Sequence, residues 1–250
     1  MFYASFFTSD EGRRFGKGEF AVKRLLVIIW AFGIGLGWAI PAAAAPAYGT
    51  RLPEKFHLVV GGQTHAVLNR GLEDAHGEMS SLQHFLLLSF GVTDWLSLDL
   101  KGGAGDIEQD PDNGNKIQYP AFVGGGYGFR VRLYNEEKIK AVFGFQHISI
   151  HPYSVFIGNT KNKAVLDDWQ FSLLGSYDLK WFTPYLGVKW SRMDYIHWAE
   201  DFRKRKQSDS EKNAGLIAGM DIPFGKRTWI NVEGQFLDSQ AVAVSVNYQF

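Results

Sequence analysis

Val242-Ala243-Val244-Ser245-Val246-Asn247-Tyr248-Gln249-Phe250 is the stretch on which the fold turns. Side chains of a β-strand alternate between its two faces. Val242, Val244, Val246, Tyr248 and Phe250 therefore share one face, and Ala243, Ser245, Asn247 and Gln249 the other. One side is apolar and aromatic; the other is small or polar. An edge strand of a soluble sheet has this pattern. So has a strand with one face in lipid and the other in water. The rest of the chain decides between them.

Towards the amino terminus, Lys23 and Arg24 precede an apolar run from Leu25 to Ile40, followed by Pro41 and Ala42-Ala43-Ala44-Ala45. A basic patch, an apolar stretch and a small-residue site make a secretory signal peptide. The run is shorter than the ~20 residues of a permanent transmembrane helix. Gly33, Gly35 and Gly37 weaken it further as a helix. Cleavage is expected after Ala44, because a cut after Ala45 would put Pro46 at the scissile bond. Residues 1–44 are thus expected to be leader and signal peptide, and 45–250 the barrel domain.

Composition narrows the classes. The chain has no cysteine, which removes disulfides, thiolate metal sites and a thiol nucleophile. A formal charge of +0 gives a nucleic-acid partner no support. Aromatic residues make up 15% and glycines number 28. Rings at two membrane interfaces and glycines in curved strands account for that pairing in a barrel. No second apolar run reaches the ~20 residues of a spanning helix. A barrel escapes that test because only alternate residues face lipid.

Turn signals divide the mature chain into strand-like segments. They fall at 55–67, 82–92, 95–103, 119–134, 138–151, 167–180, 184–198, 213–224, 228–237 and 240–250. The clearest hairpin places Leu86, Leu88, Phe90 and Val92 on one face before Thr93-Asp94. After the turn, Leu96, Leu98 and Leu100 lie opposite Ser97, Asp99 and Lys101. Connections 68–81, 104–118, 152–166 and 199–212 are long and polar. Connections 93–94, 135–137, 181–183 and 225–227 are tight, and Asp238-Ser239 is a short exception among the first set. Outer-membrane barrels sort their connections this way, with long loops outside and short turns in the periplasm. Lipid offers the backbone no hydrogen-bond partners, so such a sheet must close, last strand on first. The expected fold is all-β: a closed antiparallel transmembrane β-barrel of about ten strands. Eight strands, with one hairpin folded over the loops, is the alternative.

The terminal strand with Tyr248 and Phe250 resembles the signal read by the outer-membrane barrel-assembly machinery. The stretch from Gly91 to Leu100 resembles the periplasmic hairpins of many outer-membrane barrels. Over about residues 53–250 the plan is similar to the OmpA-like and OmpW-like families. The resemblance implies residence in the outer membrane, contact with its lipid and lipopolysaccharide, and delivery by periplasmic chaperones and the assembly machinery. It implies no cofactor and names neither a solute nor a surface partner.

The inward positions of these strands carry both signs: Asp99, Lys101, Arg130, Arg132, Asp178, Lys180, Lys189, Asp221 and Glu233. Gln146, Gln170, Ser172, Asn231 and Gln235 join them. Paired across a narrow lumen, and packed with Phe122 and Trp229, they would fill it, since small barrels are just wide enough for their side chains. Unpaired, they would line a thin aqueous path. The expected function is therefore non-enzymatic, either structural or a porin-like passage for small solutes. A surface-binding barrel would act through 104–118 and 199–212.

Candidate chemistry is sparse. His147-x-Ser149 resembles the His-x-Ser pair of outer-membrane lipid A deacylases, which implies a lipid-modifying hydrolase with His147 as base and Ser149 as nucleophile. Ile150 stands where that family has Asn, and no acidic orienter is evident. Asp167, Asp168, Asp194 and His197 could gather at the outer rim as in the outer-membrane proteases, but without that family's Asp-x-His spacing. Asp106, Glu108, Asp110 and Asp112 alternate as in a Ca²⁺ loop, yet lack its central Gly and later Glu. His57, His65, His76 and His84 show no metal-ligand spacing, and no metal is expected.

Overall fold

The structure is a computed structural model and describes residues 45–73, 76–199, 206–208 and 210–250. The expected leader, 1–44, and half of the connection 199–212 lie outside the described residues. The strands are β1 (Leu58–Leu72), β2 (Gly77–Gly91), β3 (Leu96–Gly105), β4 (Ile107–Asp110), β5 (Ile117–Tyr119), β6 (Val123–Glu136) and β7 (Ile139–His151). They continue with β8 (Val155–Ile157), β9 (Thr160–Tyr177), β10 (Thr183–Ala199), β11 (Lys206–Ser208), β12 (Ala214–Phe224), β13 (Thr228–Phe236) and β14 (Gln240–Gln249).

Ten of these strands form a closed antiparallel barrel, as the sequence predicts; the eight-stranded alternative does not hold. Closure runs through β1, which pairs with β2 on one side and with β14 on the other, from Val59↔Gln249 to Asn69↔Gln240. Phe250 N donates to Leu58 O (2.9 Å), extending the seam to the last residue. The four short strands lie outside the ring. β4 and β5 form a hairpin laid on β2, β8 pairs with β9, and β11 with β10.

The polarity of the wall is inverted relative to a water-soluble sheet. Leu86, Leu88, Leu98, Leu100, Leu173, Val188, Val244 and Val246 point outward and are exposed. Gln63, Ser89, Asp99, Gln146, Gln170, Ser172, Asn231 and Ser245 point inward and are buried. An apolar exterior costs nothing where the solvent is lipid, and the closed ladder pairs the ring's strands on both sides, interrupted at the bulges near Leu68 and Leu133. Tyr127, Trp169 and Phe171 all meet Phe145, and Phe171 meets Trp190, in a continuous aromatic patch on the outer face of β6–β10 with centroids 5.1–6.3 Å apart.

Connections 92–95, 137–138, 178–182 and 225–227 are tight turns and mark the periplasmic end. At the other end the expected loops are largely strand. β1 and β2 extend to Leu72 and Gly77, so the expected loop 68–81 shrinks to 73–76. The expected loop 104–118 is mostly the β4–β5 hairpin. β9 and β10 are 18 and 17 residues long, well beyond the ~9–11 that cross a bilayer. Above the membrane both strand faces meet water or protein, so the alternation that marks a lipid-facing strand disappears there.

The interior also changes character with height. Near the extracellular end, Leu72, Met79, Ile107, Tyr119, Ile150, Met193 and Tyr195 meet in one buried cluster. This oily cap, partly supplied by the β4–β5 hairpin, was not expected from a lumen predicted to hold mainly polar and charged side chains, with Phe122 and Trp229 among them. Tyr195 OH donates to Gln109 Oε1 (2.9 Å), tying hairpin to wall.

Candidate functional site

The polar groups of the lumen converge on a segment that belongs to no strand. Residues 45–53 run down the inside of the barrel to the periplasmic mouth. Ala45 N donates to Asp168 Oδ2 (3.0 Å), and Gln235 Nε2 donates to Ala45 O (2.8 Å). Ala47 N donates to Glu233 Oε1 (2.9 Å) and Thr50 Oγ1 to Ser176 Oγ (2.7 Å). Arg130 Nη1 donates to Tyr48 O (3.3 Å) and Arg51 O (2.9 Å). At the mouth Phe56 N donates to Gly91 O (2.7 Å), after which β1 begins. An extended residue spans ~3.3–3.6 Å, so a strap of this length reaches at most roughly the ~30 Å thickness of a bilayer core.

The strap is shaped at Tyr48 and Gly49, both with positive φ (64° and 66°). A left-handed conformation costs a non-glycine residue about 1–2 kcal/mol, so Tyr48 is held there by its surroundings. Its ring centroid lies 4.4 Å from Lys101 Nζ and 5.6 Å from Arg130 Cζ. At Gly49 a Cβ would come within 2.8 Å of Asp221 Oδ2.

Two buried ionic clusters flank the strap. In the lower one Arg130 grips Asp99 with Nε on Oδ2 (2.9 Å) and Nη2 on Oδ1 (2.8 Å). Ser89 Oγ (2.6 Å) and Gln146 Nε2 (3.2 Å) also donate to Asp99. Across the lumen Asn231 Nδ2 donates to Asp221 Oδ1 (2.8 Å), and Tyr185 OH to Glu233 Oε2 (3.0 Å). In the upper cluster Lys189 Nζ meets Asp238 Oδ1 (2.9 Å), Gln235 Oε1 (2.9 Å) and Ser239 Oγ (2.5 Å). Arg70 reaches Asp168 Oδ2 (3.2 Å) and Ser191 Oγ (3.1 Å); Ser191 in turn donates to Asp238 Oδ2 (2.9 Å). Asp238 can enter only because Gly215 has no side chain: a Cβ there would lie 1.9 Å from Asp238 Oδ1.

Arg70 owes its place to a β-bulge. In β1 the buried positions are odd-numbered up to Val67, and the register shifts between Val67 and Arg70. Beyond it the even positions Arg70 and Leu72 are buried. A bulge inserts one residue and re-aims those that follow; without it Arg70 would face outward.

Asp99, Lys101, Arg130, Asp221 and Glu233 line the lumen and are buried. Asp178 and Lys180 do not. β9 ends at Tyr177, and inside-outside alternation stops with the strand. Asp178 sits at the rim, bonded to Lys140 Nζ (2.5 Å) and Thr183 Oγ1 (2.8 Å), and Lys180 is exposed over Trp181. Arg132 turns to Asp94 O (2.8 Å) at the periplasmic turn. Trp229 is inside, under the Arg51 guanidinium, whereas Phe122 is exposed and stacks on Tyr153. Arg70 and the strap itself carried no distinguishing signal in the sequence, and Asp168, expected at the outer rim, lies inside.

Cavities of about 10 and 20 Å³ lie inside among the described residues, each sized for a single water. Lys101 Nζ, His65 Nε2, Asp168 Oδ1 and the amides of Gln63 and Gln170 lack a hydrogen-bond partner among the described residues. Such buried groups are water-binding positions.

On the outer wall, Ser149 Oγ lies 2.8 Å from His151 Nε2, so its partner is His151 and not His147. His147 instead stacks on Trp169 and directs Nδ1 to Asp168 O (3.1 Å). The suspected rim group is dispersed. Asp168 is inside, Asp194 bonds Arg192 Nε (3.3 Å), and His197 Nε2 meets Asn162 Oδ1 (3.2 Å). In the β4–β5 hairpin, Lys116 and then Gln118 hydrogen-bond Glu108 and hold its carboxyl below the ordinary carboxylate range. Asp106 Oδ1 accepts from Leu82 N (2.6 Å). Among the described residues no group of three His, Cys, Asp or Glu is arranged to hold a metal.

A sequence profile of the Chlamydia major outer membrane protein family matches residues 156–210. A search of the curated proteins finds no match. Among solved structures, an outer-membrane channel from Pseudomonas putida F1 is 9% identical over 83% of this chain and 100% of its own, with a TM-score of 0.45. The translocator domain of the autotransporter NalP from Neisseria meningitidis is 11% identical over 93% and 95%, with a TM-score of 0.41. The outer membrane protease OmpT from Escherichia coli is 13% identical over 78% and 95%, with a TM-score of 0.39. The chain is a closed, ten-stranded antiparallel β-barrel with an apolar outer wall and a polar interior.

Proposed function

We propose that the protein is a structural barrel of the outer membrane, closed to solutes in this conformation. It shares the small-barrel plan of the OmpA-like and OmpW-like families. The observation that carries the reading is a lumen filled twice over, by the strap at 45–53 and by the oily cap above it. A signal peptide cleaved after Ala44 would bring the chain to the periplasm. Chaperones and the assembly machinery, reading Tyr248 and Phe250, would insert it among outer-membrane lipid and lipopolysaccharide. The β4–β5 hairpin and the projecting β9–β10 pair are then the parts left to meet a surface partner. Reconstituted in planar bilayers, the wild-type protein should leave the current at baseline. Steady single-channel steps would replace this reading with the porin-like one.

The Ser149–His151 contact favours a second reading, hydrolysis of an acyl ester of an outer-leaflet lipid. His151 would take the Ser149 proton as general base. On this reading Ser149→Ala and His151→Ala each abolish a lipid A mass shift caused by overexpression, while His147→Ala leaves it. Lipid A of unchanged mass on wild-type overexpression rejects the reading.

A further inference from the structure

We infer that Asp168 is the receptor for the α-ammonium group of the mature chain. Ala45 N lies 3.0 Å from Asp168 Oδ2 inside the barrel, and Ala45 is 1% exposed. As a peptide nitrogen it carries one hydrogen and no charge. Cleavage between Ala44 and Ala45 hydrolyses that peptide bond. The carboxyl stays with the leader, and the nitrogen becomes an ammonium with three N–H donors and a positive charge.

Two observations point to this state. The first is the unused half of the carboxylate: Asp168 Oδ1 is buried and has no partner among the described residues, while Oδ2 already takes both Ala45 N and Arg70 Nη1. A peptide N–H has nothing left for Oδ1; an ammonium has two further hydrogens. The second is charge balance. Among the described residues the buried ionic side chains number four cations, Arg70, Lys101, Arg130 and Lys189, against five carboxylates, Asp99, Asp168, Asp221, Glu233 and Asp238. Arg51, half-buried at the mouth over Trp229, lies outside this set. An ammonium at Ala45 supplies the fifth buried cation, and buried charges persist only when paired. Processing thereby fastens the strap at its far end. The inference rests on cleavage after Ala44 and is independent of whether the lumen conducts.

The test uses full-length protein expressed with its own leader and extracted folded from outer membranes. Intact mass and terminal sequencing should give a chain starting at Ala45. Its α-amine should react with an amine-selective acylating reagent near neutral pH roughly tenfold or more slowly when folded than after boiling, as expected for a charge-assisted bond. Asp168→Asn should remove most of that protection while the protein still shows the gel-mobility shift of a folded barrel. A different first residue, equal labelling before and after boiling, or full protection in a folded Asp168→Asn variant would overturn the assignment. If Asp168→Asn does not fold, the wild-type comparison alone decides.

Discussion

Deleting residues 45–52 together with the hairpin 107–119 should convert a silent barrel into a conducting one. Either deletion alone should leave the current near baseline. The expectation follows from two closures in series. The strap fills the polar half of the lumen, and the cluster of Leu72, Met79, Ile107, Tyr119 and Tyr195 fills the half above it. Ions cross only when both are gone. The wall should survive the second deletion, because Phe122 N already donates to Gly105 O (3.3 Å), so Asp106 and 120–122 can turn the chain from β3 into β6. Current through the double deletion should exceed that of the single ones by roughly tenfold or more, since a ring of this size has only side-chain-scale room to spare and its contents decide access. A closed double-deletion barrel, folded by its gel shift, would show that the remaining side chains block the lumen unaided.

The second large effect is on stability. Arg130→Ala strips Asp99 of a two-pronged counter-ion at 2.9 and 2.8 Å and frees the strap carbonyls of Tyr48 and Arg51. Removing one partner of a buried pair costs about 3–5 kcal/mol, because the other charge stays behind without compensation. Replacing both, as Arg130→Met with Asp99→Leu, should cost less than Arg130→Ala alone. Urea unfolding in lipid vesicles, followed by tryptophan fluorescence, measures both. A loss below about 1 kcal/mol for Arg130→Ala would place it with ordinary surface substitutions and remove the ion pair from the list of what holds the lumen together.

The wall was legible in the sequence because lipid enforces a strict rule. Wherever a strand crosses the bilayer, as at Val242–Phe250 or Leu96–Leu100, every second residue must be apolar, and the period survives in the letters. Where that rule lapses, reading failed. The extensions of β1 and β2 above the bilayer looked like loops. Arg70 was hidden by a bulge, which inverts the parity of every later position in its strand and leaves no compositional mark. Asp168 was read as part of a solvated rim pair with Asp167; only Asp167 faces out. The strap has no period at all. Its one signal is Ala47-Tyr48-Gly49-Thr50, small residues around a single ring ahead of the first strand, which alone fits any linker. Sheet registry, not local pattern, brings Glu233, Ser176 and Arg130 around it.

The strap also sets an order of events. Its partners are remote: Ala45 and Gln235 lie 190 positions apart, and Ala47 and Glu233 are 186 apart. Those partners stand around a common axis only after β13 has taken its place and the seam with β14 has shut. The strap, which precedes every strand in the chain, is thus the last part to find its partners. Contacts of such sequence separation are slow to form, so the strap seats after the wall around it has closed.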